Sequence, residues 1–317
     1  MPVNQYETAL FKQIEQETKN NPPRPLSTLS LAEFREGAKS FNLFSGNPAN
    51  VPFINISTKA RDGHAIPIRL YQPEVCESNG LFIMFPGCGY ICDFYETNCI
   101  AASRIAHYAK IKVAVINYRL APENPLPIPI FDGFDATKYL ISQADDLNID
   151  IDNIILGGIS SGAHCATNVS KLAATDPTLK IKHQILLNGC YDLTRSHHEY
   201  DHFQNEDKMQ SQEGINYVYS QLKKGNINFN DAMMSPVFDK QTKYLPPTTI
   251  LIGEYDALRN DSEAYYKILK NSDAVVEKII LKGETHNTLL VMGILPKEFD
   301  TAISIARIIK NKVNHHK

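Results

Sequence analysis

An apolar run of strand length, Ile154-Ile155-Leu156-Gly157-Gly158-Ile159, leads into Ser160 and is followed by Ser161-Gly162-Ala163-His164, a small-residue stretch that suits a helix. Gly158-x-Ser160-x-Gly162 therefore sits where a strand turns sharply into a helix, the setting of a nucleophile elbow. Such an elbow holds its serine in a strained conformation at the top of a sheet. It needs glycine two residues before and two after, because a Cβ at either place would strike a neighbouring strand or helix. The bare pattern is common, and a glycine-rich connection would also satisfy it. What decides between the two is whether the rest of the chain supplies a base, an acid and an oxyanion hole.

The surroundings favour a large α/β fold. Phe53–Thr58 and Ile66–Tyr71 flank Asp62-Gly63 and read as an antiparallel pair, with Pro67 marking a strand near an edge. Leu81–Phe85 is continuously apolar, as a buried central strand should be. Strands at Val113–Tyr118, Asn153–Ile159, Gln184–Asn188, Thr248–Ile252 and Val276–Leu281 then alternate with helical stretches near 97–110, 130–144 and 161–175. That alternation predicts a largely parallel sheet covered on both faces. Amphipathic helices are expected over 4–19, which Asn21-Pro22-Pro23 ends, and from Ser30, where Ser30-x-x-Glu33 reads as a capping box. Residues 194–230 are polar and carry no strong strand; with 1–45 they are expected to form a helical cap over the sheet end that bears Ser160. The whole of 1–317 reads as one domain.

Composition narrows the function classes. Lys and Arg number 32 against 35 Asp and Glu, a net charge of −3, which offers nucleic acid no electrostatic footprint. The six cysteines, Cys76, Cys88, Cys92, Cys99, Cys165 and Cys190, form neither a CxxC pair nor a cluster of zinc spacing, so no metal site is expected. Scattered cysteines, no basic-then-apolar leader and no bilayer-length apolar run predict a soluble cytoplasmic protein.

A serine hydroxyl needs a base, and the base needs an orienting acid. Of ten histidines, His64, His315 and His316 lie in a turn and a tail, and His107, His164 and His183 in helices or linkers. His197, His198 and His202 fall in the polar insertion. His286 alone follows the last strand, on the carboxyl edge from which Ser160 projects. Two acids follow strands on that edge, Asp192 and Asp256, and either preserves the chain order Ser…Asp…His of α/β-hydrolases.

Several stretches resemble the hormone-sensitive-lipase-like family of α/β-hydrolase carboxylesterases. Tyr118-Arg119-Leu120-Ala121-Pro122-Glu123-Asn124-Pro125-Leu126-Pro127 is similar to that family's YRLAPEhPfP loop, and Asp256-Ala257-Leu258-Arg259-Asn260 to its D-x-L-R-D segment. Glu284-Thr285-His286 and Gly158–Gly162 stand where its histidine and its GDSAG elbow stand. The resemblance runs from about residue 25 to the C-terminal helix. It implies an eight-stranded, mostly parallel sheet with a helical cap, and Asp256 as the acid. It also implies serine-dependent hydrolysis of small-molecule esters without a cofactor. Pro86-Gly87-Cys88-Gly89 aligns with the HGGG loop, which would make the N–H groups of Cys88, Gly89 and Ser161 the oxyanion donors. Five departures stand out: Pro86 for histidine, at a position that is not a donor, and Cys88 for glycine in the oxyanion loop, Ile159 for aspartate and Ser161 for alanine in the elbow, and Asn260 for aspartate. Two other functions share the fold, a non-catalytic small-molecule receptor and an amidase or formamidase. The sequence leaves open the natural acyl chain and a homodimer.

Overall fold

The computed structural model describes residues 3–19, 24–196, 207 and 210–313. Its frame is an eight-stranded sheet: β1 (Phe53–Lys59), β2 (Ala65–Tyr71), β3 (Leu81–Phe85), β4 (Lys112–Ile116), β5 (Ile154–Ile159), β6 (His183–Leu187), β7 (Thr248–Gly253) and β8 (Val276–Leu281). The strand order is β1-β2-β4-β3-β5-β6-β7-β8. Only β2 runs against its neighbours, pairing antiparallel with β1 and β4, and the rest of the sheet is parallel. Pro67 lies one strand in from the edge, opposite Ser57.

The central strands are apolar throughout because both faces are covered. Leu81, Ile83 and Phe85 of β3 face one way and pack with Ile130, Ala163 and Val169; Phe82 and Met84 face the other and pack with Ile105, Ala106 and Ile309. The first set belongs to α4 (Ile128–Ser142) and α5 (Ser161–Ala173), the second to α3 (Tyr95–Ala109) and α8 (Thr301–Val313). The period-two alternation within one strand thus sorts its side chains into two separate cores. On the face shared by α4 and α5, α7 (Arg259–Asn271) adds Tyr265 and Leu269.

Two further helices lie near the N-terminus, α1 (Val3–Thr18) and α2 (Leu31–Ala38). The expected capping box is present: the Glu33 N–H donates to Ser30 Oγ, and the Ser30 N–H donates to Glu33 Oε2 at 2.8 Å. In the insertion, α6 (Gln212–Lys223) meets α2 through a stacked pair, Phe34 on Tyr217, with ring centres 4.2 Å apart. The proline break at 21–23, His197, His198, His202, His315 and His316 lie outside the described residues. Among the described residues no helix is long and apolar enough to cross a membrane.

Candidate active site

The elbow is set by steric necessity. Ser160 has φ 56° and ψ −122°, a conformation costly for a residue with a side chain. The turn closes so tightly that a Cβ on Gly162 would lie 2.0 Å from the Phe85 carbonyl oxygen, and one on Gly158 would lie 2.5 Å from the same atom. Both flanking glycines are therefore required by their neighbours. The Ser160 N–H donates to the Leu187 carbonyl of β6 at 2.9 Å, and α5 starts at the next residue.

Ser160, His286 and Asp256 come together from three loops at the carboxyl edge of the sheet. The Ser160 hydroxyl donates to His286 Nε2 at 2.9 Å, and His286 Nδ1–H donates to Asp256 Oδ1 at 2.7 Å. Asp256 Oδ1 also accepts the Leu258 N–H at 2.8 Å, while its Oδ2 meets no donor among the described residues. Asp256 and His286 are both buried. Burial alone would depress the His286 pKa. The charge and hydrogen bond of Asp256 and the charge of Asp207 outweigh it and leave the imidazole raised. Such a relay can pull a proton from Ser160 and stabilise the resulting imidazolium.

Asp192 does not join this set. Its Oδ1 accepts the Thr194 N–H at 2.9 Å, and its Oδ2 accepts the Ser196 N–H at 2.9 Å and hydroxyl at 2.7 Å. It shapes its own turn. The buried His164 is held between Tyr90 (2.6 Å) and the Met234 carbonyl (3.0 Å), and burial pulls its pKa down to about 4, so it stays neutral. His183, bonded to Thr249 Oγ1 at 2.8 Å, is lowered to about 4 in the same way.

Gly87, Cys88, Gly89, Ser160, Ser161 and His286 all face one cavity of about 590 Å³. Its further walls are mostly apolar and include Leu26, Phe34 and Phe41 on the N-terminal side and Ile215, Val218 and Leu222 of α6. Of the three expected oxyanion donors, Cys88 already has a partner: its N–H donates to Ser161 Oγ at 3.0 Å. The Ser161 hydroxyl in turn points to Cys88 Sγ at 3.9 Å, and Sγ lies 3.2 Å from Tyr118 OH, whose proton goes to the Pro86 carbonyl. The thiol is thus tucked behind the loop, and burial pushes its pKa up. Ser161, as the first residue of α5, has an N–H with no acceptor inside the helix, at the end where the helix dipole favours negative charge.

Two residues that hold this geometry carried no recognisable sequence signal beyond their type. Asn188, with φ 47° at the end of β6, donates to the carbonyls of Thr285 (3.1 Å) and His286 (2.9 Å) and accepts the Gly253 N–H at 2.8 Å. It therefore ties the loops after β7 and β8 together. Asp207 is the other. An asparagine straight after an apolar strand is a hint of a left-handed turn; nothing comparable marks Asp207.

A family described as the alpha/beta hydrolase fold matches residues 82–290. A protein of Acanthamoeba polyphaga mimivirus named as an α/β hydrolase is 31% identical over 207 residues, 65% of this chain and 60% of that one. The ethyl acetate hydrolase of Pseudomonas putida is 25% identical over 285 residues, 88% of this chain and 89% of that protein. A solved structure of a hyperthermophilic esterase from the archaeon Pyrobaculum calidifontis has a TM-score of 0.83 at 25% identity, covering 95% of this chain and 97% of that one.

Proposed function

The chain belongs to the hormone-sensitive-lipase-like family of α/β hydrolases and is an esterase-type enzyme; on that premise we propose that it hydrolyses short- to medium-chain carboxylic esters through Ser160, His286 and Asp256. The observation that carries this is the hydrogen-bonded relay of 2.9 and 2.7 Å ending on a strained serine at the wall of an apolar cavity.

In this reading His286 Nε2 takes the hydroxyl proton as Ser160 Oγ attacks the ester carbonyl. Negative charge builds on the carbonyl oxygen, where the N–H groups of Cys88, Gly89 and Ser161 receive it. The oxyanion, as a charged acceptor, displaces the neutral Ser161 hydroxyl from the Cys88 N–H. The tetrahedral intermediate collapses, His286 Nε2–H protonates the leaving alcohol, and the Ser160 ester remains. A water then gives up a proton to His286 and repeats the sequence, releasing the acid. Asp256 keeps the imidazole in the tautomer that accepts at Nε2 and supports its positive charge.

In this reading 1–317 is a single α/β-hydrolase domain, and the described parts of 1–45 and 194–230 act as its cap. The support is that α6 and the N-terminal helical segment both line the cavity and pack on each other through Phe34 and Tyr217. Arg35 of α2 also reaches down, donating to the carbonyls of Ile91 (2.6 Å) and Ala121 (2.9 Å) and pairing with Glu123 at 2.7 Å. This anchors the cap to the loop that bears the oxyanion donors. The cavity is of the size that holds small organic ligands, with apolar walls suited to an acyl chain.

The test is turnover of p-nitrophenyl esters of increasing acyl length, with fluorophosphonate labelling of the parent and of Ser160→Ala. Activity greatest on short and medium chains, with label on Ser160 alone, is the expected result. Label recovered on Ser161 would refute the assignment. Tight small-molecule binding without turnover would point to a receptor, and preference for anilides over esters to an amidase.

A further inference from the structure

Asp207 comes from the stretch between β6 and α6, and its side chain is buried. Its Oδ2 accepts the backbone N–H of His286 at 2.9 Å and that of Ala257 at 3.3 Å; its Oδ1 accepts the Gln210 N–H at 3.1 Å. The Gln210 bond, three residues along, is what any aspartate closing its own turn would make. The other two are different in kind. They join one carboxylate oxygen to the residue that carries the imidazole and to the residue that follows Asp256. Gln210 itself faces the cavity, so the same carboxylate connects the cavity wall to both loops.

We propose that Asp207 is a positioning residue of the ester hydrolysis: it clamps the Asp256 and His286 loops in register and places a second negative charge beside the imidazole. The inference rests on the reading of Ser160, His286 and Asp256 as the catalytic set. Two carboxylates near a neutral imidazole repel each other. When the imidazole takes the Ser160 proton, both attract it, so Asp207 stabilises the charged transition state more than the ground state. Burial pushes the Asp207 carboxyl up to about 6, with the Asp256 charge adding to the rise, while the His286 charge and the two N–H groups pull it down. The backbone N–H groups of His286 and Ala257, both donating to Oδ2, favour its ionised form. Among the described residues the titratable groups that act on it are His286 and Asp256; Glu7 accepts the hydroxyl of Thr285, the residue before His286.

The experiment measures kcat/KM for p-nitrophenyl butyrate from pH 5 to 9 on the full chain and on Asp207→Asn, Asp207→Ala and His286→Ala, with thermal melts alongside. Asn keeps an acceptor for the His286 N–H and removes the charge. Its plateau is expected to fall roughly three- to tenfold, the difference between a charged and a neutral hydrogen bond. Its acid limb is expected to move to lower pH, because the imidazole loses a supporting charge. Ala leaves two buried N–H groups unpaired and is expected to lose roughly 10- to 100-fold. If Ala does not fold, Asn decides. A lowered plateau with the limb unmoved would reduce Asp207 to a structural residue and overturn the proposal. His286→Ala separates the two levels: turnover retained there refutes the triad, whereas a dead His286→Ala beside an Asp207→Asn that behaves as the parent refutes Asp207 alone.

Discussion

Replacing Asp256 by asparagine tests the acid assignment against its rival with a single atom. Asp256 Oδ1 holds both the His286 Nδ1–H at 2.7 Å and the Leu258 N–H at 2.8 Å, and both residues are buried. An asparagine can keep those two bonds only with its carbonyl in the Oδ1 position, and then the charge supporting the imidazolium is gone. With the amide turned round, its NH2 faces Nδ1 and forces the ring proton onto Nε2, leaving the Ser160 hydroxyl with no base. Either outcome removes the same function. The loss in a comparable triad is about 10⁴-fold, equivalent to about 5.4 kcal/mol at about 1.36 kcal/mol per decade. Asp192→Asn breaks a turn held by bonds to Thr194 and Ser196, which should cost roughly 1–3 kcal/mol of stability and leave kcat close to that of the parent. The assay is kcat on p-nitrophenyl butyrate with thermal melts of both variants. Equal losses in kcat, a larger one at Asp192, or an Asp256→Asn enzyme within tenfold of the parent would refute the reasoning.

Since the proposed mechanism needs a neutral His286 and its pKa is raised, kcat/KM should rise with pH through a limb above histidine's ordinary 6.5, and a limb below that value would contradict the charge arrangement. Ser161→Ala should free the Cys88 N–H for the oxyanion and raise kcat by about fivefold, the worth of one neutral hydrogen bond; an unchanged kcat would mean that the Cys88 N–H is not a donor. Iodoacetamide at pH 7 should modify the exposed Cys76 before Cys88 or Cys92, whose thiols burial holds protonated, with Cys92 pushed up to about 12; peptide mapping that finds Cys88 alkylated as fast as Cys76 would overturn this.

What the sequence could disclose follows the range of the interactions concerned. The capping box at Ser30 spans three residues, and the elbow five, so residue type and spacing reveal both. The sheet was legible because burial on two faces demands unbroken apolar strands, and the place of His286 on the loop after the last strand follows from the same topology. The choice between Asp256 and Asp192 was not open to that kind of reasoning. Both follow strands on the same edge, and only the packing shows that Asp192 is turned into its own Thr194–Ser196 turn. Asp207 was illegible for a stronger reason. Its partners lie 50 and 79 residues away, in a polar stretch with no period, and they are backbone N–H groups, which every residue but proline possesses. A side chain that recognises main chain leaves no complementary letter in the sequence.

Cys88 and Ser161 are 73 residues apart, and in the sequence they count as two separate departures from the family pattern. In space they are one feature. With glycine and alanine at these places, neither the thiol nor the hydroxyl would exist, and the loop N–H would lack this acceptor. Here the hydroxyl that replaces a methyl hydrogen accepts the Cys88 N–H, and its own proton is aimed at Sγ. The thiol in turn leans on Tyr118, whose hydroxyl donates to Pro86, so the chain of contacts closes back on the same loop. Each member therefore compensates for another: the cysteine needs polar neighbours in a buried place, and the serine needs an acceptor for its proton. The loop gains internal hydrogen bonds, but one of its donors is occupied before substrate arrives. A donor that must first exchange partners is less preorganised than a free one, so in the proposed mechanism the arrangement favours stability of the loop over speed of acyl transfer.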